Sequence, residues 1–127
     1  RKSEKTRFSL IARLRSTNHA WRGLGLVLKT THNLWVQLFF ALVVVYMGFT
    51  LNISTTEWLF IVFAIGFVLV TESLNTAFEI DIDLTSPEYH PYARDTKDIA
   101  AGAVLLSVIF AFIVGLIIFL PKIIALL

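Results

Sequence analysis

Three long apolar runs constrain this chain before anything else does. The first, Leu34 to Leu51, carries no charge and one glycine. The second starts at Trp58, is apolar to Val70, and continues as the polar TESLNTAFEIDID with no Gly or Pro to stop a helix. The third runs from Ile99 to Leu120 and is expected to end at Pro121. Each is close to the roughly 20 helical residues that cross a bilayer core. In lipid every backbone N–H and C=O must be paired within the fold, which restricts such runs to helices here. Composition agrees: 57% of residues are apolar and 16% charged, with mean hydropathy +0.77, where a soluble domain has about half and about a quarter. This excludes a disordered tail, a nucleic-acid-binding basic domain and most water-soluble enzymes. The chain has 127 residues, so we expect one domain over 1–127: a surface region at 1–30 and a three-helix transmembrane bundle at 31–127. Cysteine is absent, which removes disulfides and thiolate metal sites.

Charge is distributed unevenly. Residues 1–30 hold eight of the eleven Lys and Arg and one acid, Glu4; the remaining 97 residues hold three basic residues and eight acids. Phe8, Leu10, Ile11 and Leu14 fall on one side of a helix, with Arg7, Arg13 and Arg15 around them. A basic amphipathic helix of this kind lies on a membrane surface, and the basic excess places the N-terminus in the cytoplasm. The first span then leads out to a turn at Asn52–Thr56, with Ser54 or Thr55 as N-cap and Trp58 as interface anchor. The second span returns. Residues 84–96 are expected to form an inner polar loop broken by Pro87 and Pro91, and the third span ends outside.

Glu72, Asn75, Thr76, Glu79 and Asp83 are spaced i, i+3, i+4, i+7 and i+11, one face of a helix. Glu72 and Glu79 lie two turns apart, roughly 10 Å along the axis. Carboxylates at membrane depth are costly unless paired, protonated or metal-bound, so they point to function. The competing reading is a polar seam that joins helices or faces cytoplasmic water, and it weighs most for Asp81 and Asp83 near the helix end. Beyond the loop, Lys97 and Asp98 precede Ile99-Ala100-Ala101-Gly102-Ala103, mostly small residues that permit close helix approach. Lys97 near a helix N-terminus can hold phosphate oxygens together with backbone N–H groups; the alternative is a lysine snorkelling to the interface.

Such a set suits phosphoryl transfer from a metal-bound nucleotide. One carboxylate can hold Mg²⁺, which uses few protein ligands plus substrate phosphates. Another can take the proton of an attacking hydroxyl. The chain has neither G-x-x-x-x-G-K-S/T nor a kinase G-x-G-x-x-G. Composition and spacing alone therefore reach a membrane protein with a cytoplasm-facing carboxylate site.

The run Glu72-Ser73-Leu74-Asn75-Thr76-Ala77-Phe78-Glu79, then Asp83, then Lys97-Asp98-Ile99-Ala100-Ala101-Gly102-Ala103-Val104, resembles the prokaryotic integral-membrane diacylglycerol kinase family, which includes undecaprenol kinases. The family pattern is E-x-x-N-S/T-A-I/F-E-x-x-x-D, followed after a short loop by a K-D motif and small residues. Arg15-Ser16, Ala20, Gly23-Leu24, Glu57-Trp58 and Leu120-Pro121-Lys122 extend the resemblance from about Arg13 to Lys122. It implies an all-α membrane protein, a surface helix plus three transmembrane helices, assembled as a homotrimer in the bacterial inner membrane. It implies transfer of the ATP γ-phosphoryl group, with Mg²⁺, to a membrane lipid alcohol, diacylglycerol or undecaprenol. Ala100–Val104 and Glu57-Trp58 look more like the undecaprenol branch. By position, Glu72 matches the general base, Glu79 a metal-binding carboxylate, and Asn75 the asparagine beside them, with Asp83 in support. Lys97 matches the lysine on the nucleotide phosphates and Asp98 the neighbour that orients it. His90 and Arg15 are expected at the nucleotide. Thr31 stands where the family has a second metal-binding Glu, and a hydroxyl brings Mg²⁺ no charge. That departure favours a second class of function, a catalytically silent structural or regulatory membrane subunit. A third class, a proton or cation pathway along Glu72 and Glu79, leaves Lys97 and Asp98 unexplained.

Overall fold

The computed structural model describes residues 9–127, with the side chain of His32 left aside; Arg7 and Phe8, part of the expected amphipathic face, lie outside the described residues. These form four helices: α1 (Leu10–Thr30), α2 (His32–Thr50), α3 (Thr55–Thr85) and α4 (Pro91–Leu126). The last three are long and apolar enough to cross a membrane.

Local chemistry sets the helix ends. Ser9 caps α1 by accepting from the Ala12 N–H at 3.3 Å. Thr31 alone separates α1 from α2; its extended backbone (φ −114°) breaks the helix. The Trp35 indole N–H donates back to the Leu28 carbonyl at 2.8 Å, fixing the angle at that break. No residue of α1 is buried, and Leu10, Ile11 and Leu14 are all exposed.

At the other end, α2 closes with Asn52 at φ 50° while the Ile53 N–H reaches the Gly48 carbonyl at 3.2 Å. That six-to-one bond around a left-handed residue satisfies carbonyls the helix end would leave bare. Ser54 then caps α3 in a capping box: its side chain accepts from the Glu57 N–H at 3.1 Å, and Glu57 accepts from the Ser54 N–H at 2.9 Å. Gly48 makes room for the turn. A Cβ there would lie 2.6 Å from Cη2 of Trp58, whose ring packs tilted against Phe49 with centroids 4.8 Å apart.

The helices α3 and α4 form an antiparallel hairpin with three polar rungs in one register. Glu57 pairs with Lys122 at 3.2 Å near the turn between α2 and α3. Thr71 meets Ser107, which is fully buried, at 2.9 Å in the middle. Asp83 pairs with Lys97 at 2.6 Å next to the loop. Apolar packing concentrates at the Glu57–Lys122 end, where Ile53, Ile61, Ile118 and Phe119 are buried together. Elsewhere the molecule exposes its apolar side chains, among them Phe39, Phe63 and Phe112. Its accessible surface is 10242 Å², against roughly 6,800 Å² for a soluble monomer of this mass. The excess is surface for lipid or for other protein.

Three boundaries differ from expectation, the first being the turn after α2, which is 51–54 and not Asn52–Thr56. The polar loop between α3 and α4 shrinks from 84–96 to 86–90. Pro91 starts α4 instead of breaking the chain: at the first helical position its missing N–H has no partner to lose, and His90 caps the helix, its Nδ1 accepting from the Tyr92 N–H at 3.1 Å. Nor does Pro121 end the third span, since α4 continues to Leu126. So near its end the proline costs α4 one hydrogen bond. Burial of Ile118 and Phe119 before it, and the Lys122–Glu57 pair after it, hold the helix on course.

Candidate active site

The helix α3 is too long for a bilayer. Its 31 residues extend about 46 Å at 1.5 Å per residue, against a core of about 30 Å. Measured from Thr55, Glu72 comes about 26 Å along and Glu79 about 36 Å. Glu72 therefore falls within one core thickness of Thr55 and Glu79 beyond it.

The spacing read from sequence is realised on one face. Glu72 is 2% exposed, and Asn75 and Thr76 are buried beside it. Glu79, one turn further, is exposed and accepts from the Asn75 amide N–H at 3.2 Å. Asn75 Oδ1 is buried with no hydrogen-bond partner among the described residues. Thr76 donates to the Glu72 carbonyl at 3.1 Å. Its one hydroxyl proton being so used, the 2.8 Å contact between Thr31 and Thr76 has Thr31 as donor. Position 31 thus sits against the Glu72–Glu79 face although 45 residues separate Thr31 from Thr76.

Sequence reasoning missed Gln37. Its Nε2 donates to Glu72 Oε2 at 3.0 Å, while its Oε1 is buried and unpartnered among the described residues. The available signal was a lone amide inside an otherwise apolar run. Gln37 also heads an apolar groove of about 410 Å³ between α2, α3 and α4, lined by Phe40, Val44, Val68, Leu69 and Phe112 among others.

Of the remaining expected residues, all but Arg15 gather at the loop end of the α3–α4 hairpin. Asp83, His90, Lys97 and Asp98 line a cavity of about 260 Å³ together with Glu88 and Arg94. Asp83 follows Glu79 by one turn, so the cavity continues the carboxylate face. Lys97 takes Asp83 as its partner, and Asp98 pairs instead with Arg94 at 3.8 Å. Arg94 is a second cation of the cavity that the sequence reading did not single out. Arg15 is exposed on α1 and makes no hydrogen bond or ion pair among the described residues. No three His, Asp or Glu side chains converge as a metal cage among the described residues.

The model of the family described as prokaryotic diacylglycerol kinase matches residues 18–119. The chain is 40% identical over 104 residues to an undecaprenol kinase of Bacillus subtilis, covering 82% of this chain and 85% of that protein. A diacylglycerol kinase of Synechocystis is 35% identical over 112 residues, 87% of this chain and 64% of that one. The diacylglycerol kinase of Escherichia coli K12 is 24% identical over 100 residues, 79% and 82% of the two chains.

Proposed function

The chain belongs to the prokaryotic diacylglycerol kinase family, and from that premise we propose that it passes the γ-phosphoryl group of ATP to undecaprenol, or failing that diacylglycerol, at the cytoplasmic face of a bacterial inner membrane. It is a membrane lipid kinase, a phosphotransferase with ATP as co-substrate. The observation that carries the finer reading is Glu72, 2% exposed, on the same helix face as Asn75, Glu79 and Asp83, with Lys97 at that end of the hairpin. Undecaprenol ranks first because the similar protein from Bacillus subtilis is named for it.

In this mechanism Glu72 is the general base. The lipid oxygen attacks the γ-phosphorus, its proton passes to a Glu72 oxygen, and ADP leaves with the electron pair of the broken P–O bond. Phosphoryl transfer asks little covalent chemistry of a protein; positioning and charge compensation dominate. Lys97 meets the phosphates with the ammonium N–H groups that Asp83 leaves free, and Arg94 offers a second cation. His90 and Arg15 stay assigned to the nucleotide, and Asp98 acts through Arg94. The Glu79 carboxylate and the unpartnered Asn75 oxygen are hard donors of the type Mg²⁺ takes, and they would hold it; bound there, the ion would offset phosphate charge. Thr31 adds a neutral oxygen at the same face. The fold is one unit over 1–127, with the N-terminus cytoplasmic and α1 on the membrane surface. It assembles as a homotrimer, which covers apolar surface the single chain exposes.

The test is ATP-dependent phosphorylation of undecaprenol and of diacylglycerol, presented separately in mixed micelles, with particle mass measured in the same detergent. Labelled undecaprenyl phosphate from a trimer is expected. No product from either lipid by a folded oligomer puts the silent-subunit reading in its place.

A further inference from the structure

Gln37 lies 35 residues from Glu72 in sequence and meets it through a single polar contact, amide Nε2 to carboxylate Oε2 at 3.0 Å. The other half of the amide, Oε1, is buried without a partner among the described residues. A buried amide oxygen left bare costs free energy, and such an atom in a native fold needs a reason. Its neighbour supplies one. A carboxylate attracts an amide N–H and repels an amide oxygen, so a charged Glu72 selects the orientation observed. When Glu72 takes up a proton, its new O–H needs an acceptor. Glu72 is 2% exposed, so bulk water does not supply it. A half-turn of the Gln37 amide places Oε1 where Nε2 was.

We propose that Gln37 is the positioning residue of the proton-accepting step: its N–H holds the Glu72 carboxylate before transfer, and its carbonyl oxygen accepts from the protonated carboxyl afterwards. The proton comes from the lipid hydroxyl and stays on Glu72; Gln37 exchanges one hydrogen bond for another and carries no proton itself. Its place at the head of the apolar groove keeps this exchange out of water, where solvent would do the same for nothing. The inference rests on Glu72 being the base of the lipid kinase.

Gln37→Met keeps the length of the side chain and removes both polar atoms. It is expected to lower kcat about 10- to 100-fold, the effect of a positioned hydrogen bond to a charged group, while KM for ATP and oligomer mass stay unchanged. A neutral imidazole has one N–H and one bare nitrogen, so Gln37→His is expected to recover most of the lost kcat. Gln37→Asn keeps the amide but draws it back by one methylene, and provides the same comparison should Met disturb assembly; kcat is expected to fall there too. Full kcat in either Met or Asn, or a His variant no better than Met, overturns the inference. A wild-type protein that phosphorylates no lipid alcohol overturns the kinase reading instead, so the two failures are distinct.

Discussion

Glu72→Gln is the sharpest perturbation of the proposed chemistry, because the structure predicts opposite effects on rate and stability. The substitution is nearly isosteric at a position 2% exposed, and the new amide oxygen can still accept from Gln37 Nε2 at the observed 3.0 Å. Backbone contacts persist, since Thr76 bonds the Glu72 carbonyl and not its side chain. What is lost is proton acceptance. A general base contributes about 10²–10⁴-fold, or roughly 3–5 kcal/mol of barrier. The fold, relieved of a buried charge that one amide hydrogen bond only partly compensates, is expected to gain stability. The assay pairs initial rates of lipid phosphorylation, at saturating ATP and lipid, with thermal unfolding in the same detergent. The expected variant has a kcat lowered by about 10² or more, an unchanged KM for ATP, and a melting temperature no lower than wild type. A rate within threefold of wild type would falsify the assignment of Glu72 as base, whatever the stability.

Thr31→Glu places a carboxylate against the Glu72–Glu79 face, where Thr31 now bonds Thr76. It is expected to be less stable without Mg²⁺, through carboxylate repulsion, and more active with it; an unchanged Mg²⁺ titration of melting and rate refutes that placement. Lys97→Met removes the partner of Asp83 and the proposed phosphate contact, so KM for ATP should rise about tenfold or more, and equal ATP affinity in the variant excludes Lys97 from the phosphates. Gly48→Ala puts a Cβ within 2.6 and 2.8 Å of the Trp58 ring, an overpacking expected to cost about 1–3 kcal/mol; thermal unfolding checks it, and Gly48→Ala with Trp58→Leu should recover most of the loss.

Helical periodicity is local, and what depends only on it was legible in the chain. The three spans follow from the length of the apolar runs. The shared face of Glu72, Asn75, Thr76, Glu79 and Asp83 follows from their spacing along 31 residues of helix with no Gly or Pro after Gly66. The cap of α3 was narrowed to Ser54 or Thr55, and the capping box with Glu57 decides for Ser54. Helix ends were less so. Pro121 and Pro91 both suggest a break by type, yet one lies inside α4 and the other begins it. Which occurs depends on whether tertiary contacts and a cap make good one missing N–H.

Partners distant along the chain could not be read, because no periodicity relates them. Nothing in the first span distinguishes Gln37 from a stray polar residue until packing of α2 on α3 brings its amide to 3.0 Å from Glu72. Resemblance alone put Thr31 beside the carboxylates, and its bond to Thr76 is what packing adds. Lys97 was foreseen as a cation near phosphate, but its pairing with Asp83, and that of Asp98 with Arg94, follow from the register of the α3–α4 hairpin and the one-turn geometry of α4. A helix in lipid forms from its own backbone bonds and side-chain polarity, so its place in the chain suffices to specify it. The contacts that turn a row of carboxylates into a site need two or three helices at fixed depth and rotation, and only their packing specifies those.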